Sequence, residues 1–283
     1  MLWIVVDGRR ALVLGGGGVT GVGWEIGLLA GLVAAGVPVH RPDLVVGTSA
    51  GSVVGAQLCS GVPLDELYER QLQPASGEIA ANLGLGVLLR YAGSAFGADD
   101  RRARARLGRW ALRARTVPEA DRRAVIASRL PSPEWPTHPS LLVTAVAAES
   151  GAAVVWDRDS GIGLVDAVAA SCAVPLVWPP MTVNGTRYID GGARSPVNAD
   201  YATGCSRVLV IAPVTVSFRR SGRVGRQLAS LGPQVRSLVV GPDREARAAM
   251  GRNPLDPAFR AAAARAGHRQ SAKVADAVSG VWT

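Results

Sequence analysis

Ser49 stands at the centre of Gly47-Thr48-Ser49-Ala50-Gly51, which interrupts an otherwise apolar stretch from Asp43 to Leu58. A serine flanked by glycines two residues away on each side can serve as a nucleophile if the chain turns sharply beneath it. The same pentapeptide can also be ordinary loop punctuation. Its context supports the chemical reading. Leu44–Val46 reads as a short buried strand, and an apolar helix follows to about Ser60. In such a strand–turn–helix, Gly47 and Gly51 relieve crowding while Ser49 takes an unfavourable backbone conformation. The helix N-terminus favours negative charge developing beside the hydroxyl.

Gly16, Gly17 and Gly18 follow the apolar strand Ala11–Leu14 and precede a second helical pattern. Read with Gly21, they also satisfy Gly-x-Gly-x-x-Gly, the dinucleotide fingerprint. That reading needs an acidic residue at the end of the next strand, about 20 positions on. Asp43 lies instead at that strand's start. No Gly-Lys-Ser/Thr follows, so the loop is not a P-loop either. Backbone amides aimed at an oxyanion are the better reading. Asp190, in Asp190-Gly191-Gly192, reads in isolation as a turn residue. Its interest comes from the histidines. The chain has only His40, His138 and His268, none in a comparable strand-end motif. A serine nucleophile needs a base, and a carboxylate can fill that role. A carboxylate base would also keep the reaction running below pH 6, where an ordinary histidine, with a pKa of about 6.5, is protonated.

The elements that must position these residues follow from periodicity. "MLWIVVDGRRALVL" reads as two strands around an Asp7-Gly8 turn, with Met1–Val6 an added edge strand. Ile26, Leu29, Leu32 and Val33 recur at helical spacing and Gly36 supplies a stop. The first 60 residues are therefore a βαβα unit of a parallel sheet. Residues from about 62 to 130 form a basic helical insertion, with a partly amphipathic helix from Asp99 to Arg115 carrying Leu107 and Trp110 on its apolar side. A helix of that kind can pack on the protein or lie on an anionic membrane, and with the apolar run Leu83–Gly93 before it the expected membrane-binding region is Leu83–Arg115. Two strands, a helix stopped by Pro175, the strand before Asp190 and the buried strand "RVLVIAPV" then resume the α/β pattern. Residues 215–283 read as mostly helical.

The bulk properties narrow the classes. With 283 residues and 48% hydrophobic content the chain can bury a substantial core. The net charge is +9, and Lys273 is the only lysine. A basic surface suits anionic lipid headgroups or nucleic acid, or is simply solvated, and no nucleic-acid partner is expected. Cys59, Cys172 and Cys205 are odd in number and widely spaced, which suggests neither a metal cluster nor a disulfide framework and fits a reducing compartment. The N-terminal charge order is wrong for a signal peptide, and no apolar run reaches about 18 residues. The expectation is a cytoplasmic protein, with peripheral membrane contact open.

Taken in order, "LVLGGGGVTG", "VVGTSAGS", "ASCAVPLVWPPM" and "RYIDGGARSPVNAD" resemble the patatin-like phospholipase family over about Ala11 to Val214. The resemblance implies a three-layer α/β/α sandwich around a mostly parallel sheet, with a catalytic domain over 11–214 and 215–283 continuing the same domain. It implies that Ser49 is the nucleophile, Asp190 its base in a Ser–Asp dyad, and Gly16–Gly18 the oxyanion loop. It also implies acyl esters of lipids as substrates, with no metal or organic cofactor. Where the family commonly carries Arg or Lys, this chain has Thr20, so a direct charge at that position is missing. Trp178 and Met181 would lie near an acyl chain or pack in the core. Two rival readings are a Ser49–Asp190–His268 triad esterase and a non-catalytic lipid-binding or regulatory protein of the same fold.

Overall fold

The computed structural model describes residues 6–74, 81–82, 85–94 and 99–283. In chain order the elements are β1 (Val6–Leu14), α1 (Gly18–Ala34), β2 (Leu44–Gly47), α2 (Ala50–Leu58), α3 (Leu64–Leu72), α4 (Leu85–Ser94) and α5 (Asp100–Leu112). There follow α6 (Glu119–Arg129), β3 (Ser140–Ala147), β4 (Ala153–Trp156), α7 (Leu164–Ser171), β5 (Met181–Val183) and β6 (Thr186–Asp190). The chain closes with β7 (Cys205–Ile211), α8 (Val224–Ala229), β8 (Arg236–Val240), α9 (Arg244–Ala249) and α10 (Arg260–Trp282).

The strands form one sheet in the order β5-β6-β3-β2-β1-β7-β8, with β4 paired to β3. Strands β3, β2, β1, β7 and β8 are parallel, and β4, β5 and β6 run antiparallel to their neighbours. Helices cover both faces, giving the expected three-layer sandwich. The alternation of a strand divides the core between the layers. Leu12, Leu14 and Val45 join Ile26 and Val53 on one side. Ala11, Val13 and Val46 join Val197 and Val208 on the other. Burial of both faces explains why these strands read as continuous apolar runs.

Register fixes where chemistry can occur. Leu14 pairs with both Gly47 and Ile211, so β1, β2 and β7 end at one level. Gly47 pairs with Val143, and Asp190 pairs with Ala145 slightly further along β3. The glycine loop, the Ser49 turn, the Asp190 turn and the segment after β7 therefore share one edge of the sheet. Helix α1 is buried nearly all round between the sheet and α10. Gly23, Gly27 and Gly31, spaced four apart, form the seam along which α10 approaches. At Gly27 a Cβ would overlap the Ala264 carbonyl.

Several expectations need correction. Residues 1–5 of the proposed added strand lie outside the described residues. Asp7-Gly8 is not a turn but lies within β1, where the register against β7 shifts between Val6 and Arg10. An irregularity of this kind admits the positive φ of Gly8 without reversing the chain. The 215–283 segment contributes a strand, β8, which a short run flanked by arginines and glycines concealed. Helix α5 buries its apolar side, Ala103, Ala105, Leu107 and Ala111, and Gly108 abuts the Ala148 carbonyl. Leu107 is thus used for packing, Trp110 is half-buried, Leu89 of the Leu83–Arg115 region is exposed, and residues 83–84 and 95–98 of that region lie outside the described residues.

Candidate active site

Ser49 occupies the turn between β2 and α2 with φ 51° and ψ −118°. For a residue with a Cβ this conformation costs about 1–3 kcal/mol and persists only when its surroundings enforce it. Those surroundings are specific. The Ser49 amide donates to Ser171 Oγ at 2.9 Å, and the Cys172 thiol donates to the Ser49 carbonyl at 3.3 Å, so the end of α7 braces the turn. The Gly51 amide donates to the Gly15 carbonyl at 2.9 Å. A Cβ on Gly51 would overlap the Leu14 carbonyl, so the first turn of α2 can lie against β1 only with glycine there.

Asp190 ends β6 and is 4% exposed. Its Oδ1 accepts the Gly192 amide at 2.6 Å. Burial pushes its carboxyl up to about 6, opposed by the Ser49 hydroxyl, the Gly192 amide and the charge of Arg122. The Ser49 hydroxyl is near enough to favour the ionised carboxyl, and Oδ2 is buried without a hydrogen-bond partner among the described residues. The expected activity below pH 6 no longer separates a carboxylate base from an imidazole once the carboxyl is raised this far. Desolvation moves Asp190 into the range of an ordinary histidine.

The glycine loop lies on the opposite side of Ser49. Gly16 comes within contact distance, since its Cβ would sit 3.4 Å from Ser49 Cβ. Its amide, however, donates to the Pro196 carbonyl at 2.8 Å, which corrects the expectation of three free donors. The Gly17 and Gly18 amides have no such bond among the described residues. Gly18 has φ +64°, and a Cβ there would overlap the Pro254 carbonyl. Gly21 lies within α1, where its amide donates to Gly17 at 3.0 Å. Thr20 is buried and its hydroxyl donates to the Pro254 carbonyl at 3.4 Å. It ties α1 to the 251–255 loop.

A narrow cleft of about 30 Å³ opens on Ser49, lined among others by Gly18, Ala50, Arg122, Arg129, Trp178 and Leu255. Arg122 is 4% exposed and lies over the Trp178 ring at 4.0 Å from its centroid. Trp178 lines the cleft and is itself buried, 4% exposed. Met181 is fully buried in the core and takes the packing role instead. None of the three histidines lines this cleft. His268 stacks on Tyr68, with ring centroids 5.0 Å apart.

Three site residues escaped the sequence reading. Arg122 lies in the basic insertion, where no motif marks it. Ser171 and Asn198 fall within recognised motifs but carry no signal of their own. Asn198 Nδ2 donates to Thr48 Oγ1 at 3.0 Å, Thr144 Oγ1 at 3.3 Å, the Gly191 carbonyl at 3.3 Å and the Ser195 carbonyl at 2.8 Å. It therefore ties the Ser49 turn, β3 and the Asp190 turn into one unit. Gly191 packs directly on Thr144 in the same unit.

No curated protein matches the sequence significantly. Among solved structures, VipD from Legionella pneumophila aligns with a TM-score of 0.48 at 12% identity, covering 96% of this chain and 68% of that one. The profile of the patatin-like phospholipases matches residues 12–203, a span that holds the glycine loop, Ser49 and Asp190. On that match the chain belongs to the patatin-like phospholipase family, a family of lipid acyl hydrolases.

Proposed function

We propose that this protein is a serine acyl-ester hydrolase of phospholipase A type, acting on lipids through a Ser49–Asp190 dyad. The observation that carries the reading is a strained serine whose hydroxyl acts on a buried carboxyl, Asp190, with Oδ2 left unpartnered. Asp190 accepts the hydroxyl proton as Ser49 Oγ attacks the ester carbonyl. The tetrahedral oxyanion is held by the Gly17 and Gly18 amides rather than that of Gly16. Its collapse breaks the carbon–oxygen ester bond, and the leaving alcohol takes the proton back from Asp190. Asp190 then deprotonates a water that attacks the acyl-enzyme, releasing the fatty acid and restoring Ser49.

Arg122 and Arg129, two helical turns apart on α6, line the cleft and supply positive charge that Thr20 does not. We read residues 11–214 as the catalytic unit, with 215–283 completing its sheet and helical layer. The test is labelling with a fluorophosphonate together with hydrolysis of a short p-nitrophenyl ester and of a phosphatidylcholine. The unaltered chain is expected to label and turn over, and Ser49→Ala to do neither while staying folded. Labelling that survives Ser49→Ala refutes the nucleophile. An unaltered, folded chain that neither labels nor turns over favours the non-catalytic rival.

A further inference from the structure

Among the described residues, five large apolar side chains are exposed: Leu89, Val214, Val216, Phe218 and Phe259. Each belongs to a segment bordering the Ser49–Asp190 site. Val214, Val216 and Phe218 alternate with more buried neighbours just after β7, and Val216 and Phe218 are 78% and 65% exposed. The segment begins at Pro213, which packs against Gly17. At its other end Phe218 shares a cavity wall with Gly192, the residue that donates to Asp190. It therefore runs past the site from the glycine loop to the Asp190 turn. Tyr91, two residues after Leu89 on α4, lines the same cavity and is near enough to Asp190 to feel its charge. Phe259 lies four residues beyond Leu255, which touches Gly18 and lines the cleft.

Exposed arginines accompany these residues: Arg90 after Leu89, Arg220 and Arg223 after Phe218, and Arg252 before the Leu255 loop. Apolar side chains among solvated arginines match the two layers of an anionic bilayer surface, acyl chains below and phosphates above. The small cleft volume adds a reason for such a surface, since a lipid must enter a site that holds little more than water at rest.

We propose that Val214–Phe218, flanked by Leu89 and Phe259, is the surface by which this protein docks on an anionic lipid bilayer, with Val216 and Phe218 entering the headgroup–acyl boundary. It keeps Leu89 and Arg90 of the expected Leu83–Arg115 region and moves the main contact from α5, which buries Leu107, to the segment after β7. The purpose assigned to the surface, presenting lipid to Ser49, rests on the hydrolase reading above, but docking itself is measured separately.

The experiment is vesicle flotation of the full chain with phosphatidylglycerol or phosphatidylcholine vesicles, at low and high salt. Hydrolysis of a water-soluble p-nitrophenyl ester is followed in parallel. The unaltered chain is expected to prefer phosphatidylglycerol, with the preference fading as salt is added. Val216→Ser with Phe218→Ser should weaken binding at least about tenfold, leaving ester hydrolysis and thermal unfolding unchanged. Arg220→Gln with Arg252→Gln should cost about fivefold per arginine on phosphatidylglycerol and nothing on phosphatidylcholine. Ser49→Ala should bind like the unaltered chain. Full binding by the Val216/Phe218 variant overturns the proposal, as does equal, salt-insensitive binding to both lipids. Vesicle binding without ester hydrolysis would leave the docking surface standing and remove the hydrolase reading.

Discussion

Asp190→Asn separates activity from stability in a way that the geometry makes quantitative. The folded carboxyl is raised from 3.8 to about 6, chiefly by burial. Between those two values the folded protein holds a proton that the unfolded chain has released, so stability falls as pH rises through this window. The gap of about 2.2 pH units corresponds to about 3 kcal/mol once Asp190 is fully ionised. At pH 5 only about half of that cost is present. Asparagine never ionises and keeps an oxygen for the Gly192 amide. The variant should therefore gain more stability relative to the unaltered chain at pH 8 than at pH 5, by about 1–2 kcal/mol. Any fixed packing change cancels in that difference. Urea denaturation of both proteins at the two pH values measures it. Hydrolysis should fall by at least about 10². An equal stability change at both pH values would refute the buried, raised carboxylate. Because the acid limb near pH 6 overlaps that of a histidine, its position alone does not identify the base. Warming does, since carboxyl ionisation is nearly athermal whereas imidazolium loses its proton endothermically.

Arg122→Met removes a charge that favours ionised Asp190, so the acid limb of the pH–rate profile should move above pH 6; an unmoved limb would show that Arg122 does not act on the base. Gly18→Ala places a side chain on a φ of +64° and against the Pro254 carbonyl, so the neighbouring amides shift and kcat should fall by about 10² to 10³. Retained kcat would take the Gly18 amide out of the oxyanion site. His268→Ala should lose its stacking on Tyr68, worth up to about 1 kcal/mol, while kcat changes less than about twofold. A folded but inactive His268→Ala would restore the triad.

The sequence by itself determined the α/β class, the turn at Ser49 and the linear order of glycine loop, serine and aspartate. These are local properties. A buried parallel strand must be apolar on both faces, and a tight strand-to-helix turn must carry glycines, so both leave a mark within a few residues. Strand β8 escaped because a short run beside arginines and glycines carries too little local signal. The fate of Gly16 was also hidden, since only the folded chain brings the Pro196 carbonyl to its amide. Arg122 reaches the cleft because α6 packs there, and no spacing along the chain encodes that approach. Likewise, Asn198 bonds to Thr48 and Thr144 across 150 and 54 residues. The pKa of Asp190 is the clearest case. An aspartate before two glycines is an ordinary turn in sequence, and only the tertiary structure strips water from it, leaves one oxygen unpartnered and brings the Ser49 hydroxyl to bear on it. Identity and order are written locally, whereas desolvation, competing hydrogen bonds and long-range charge arise when distant segments close around the site.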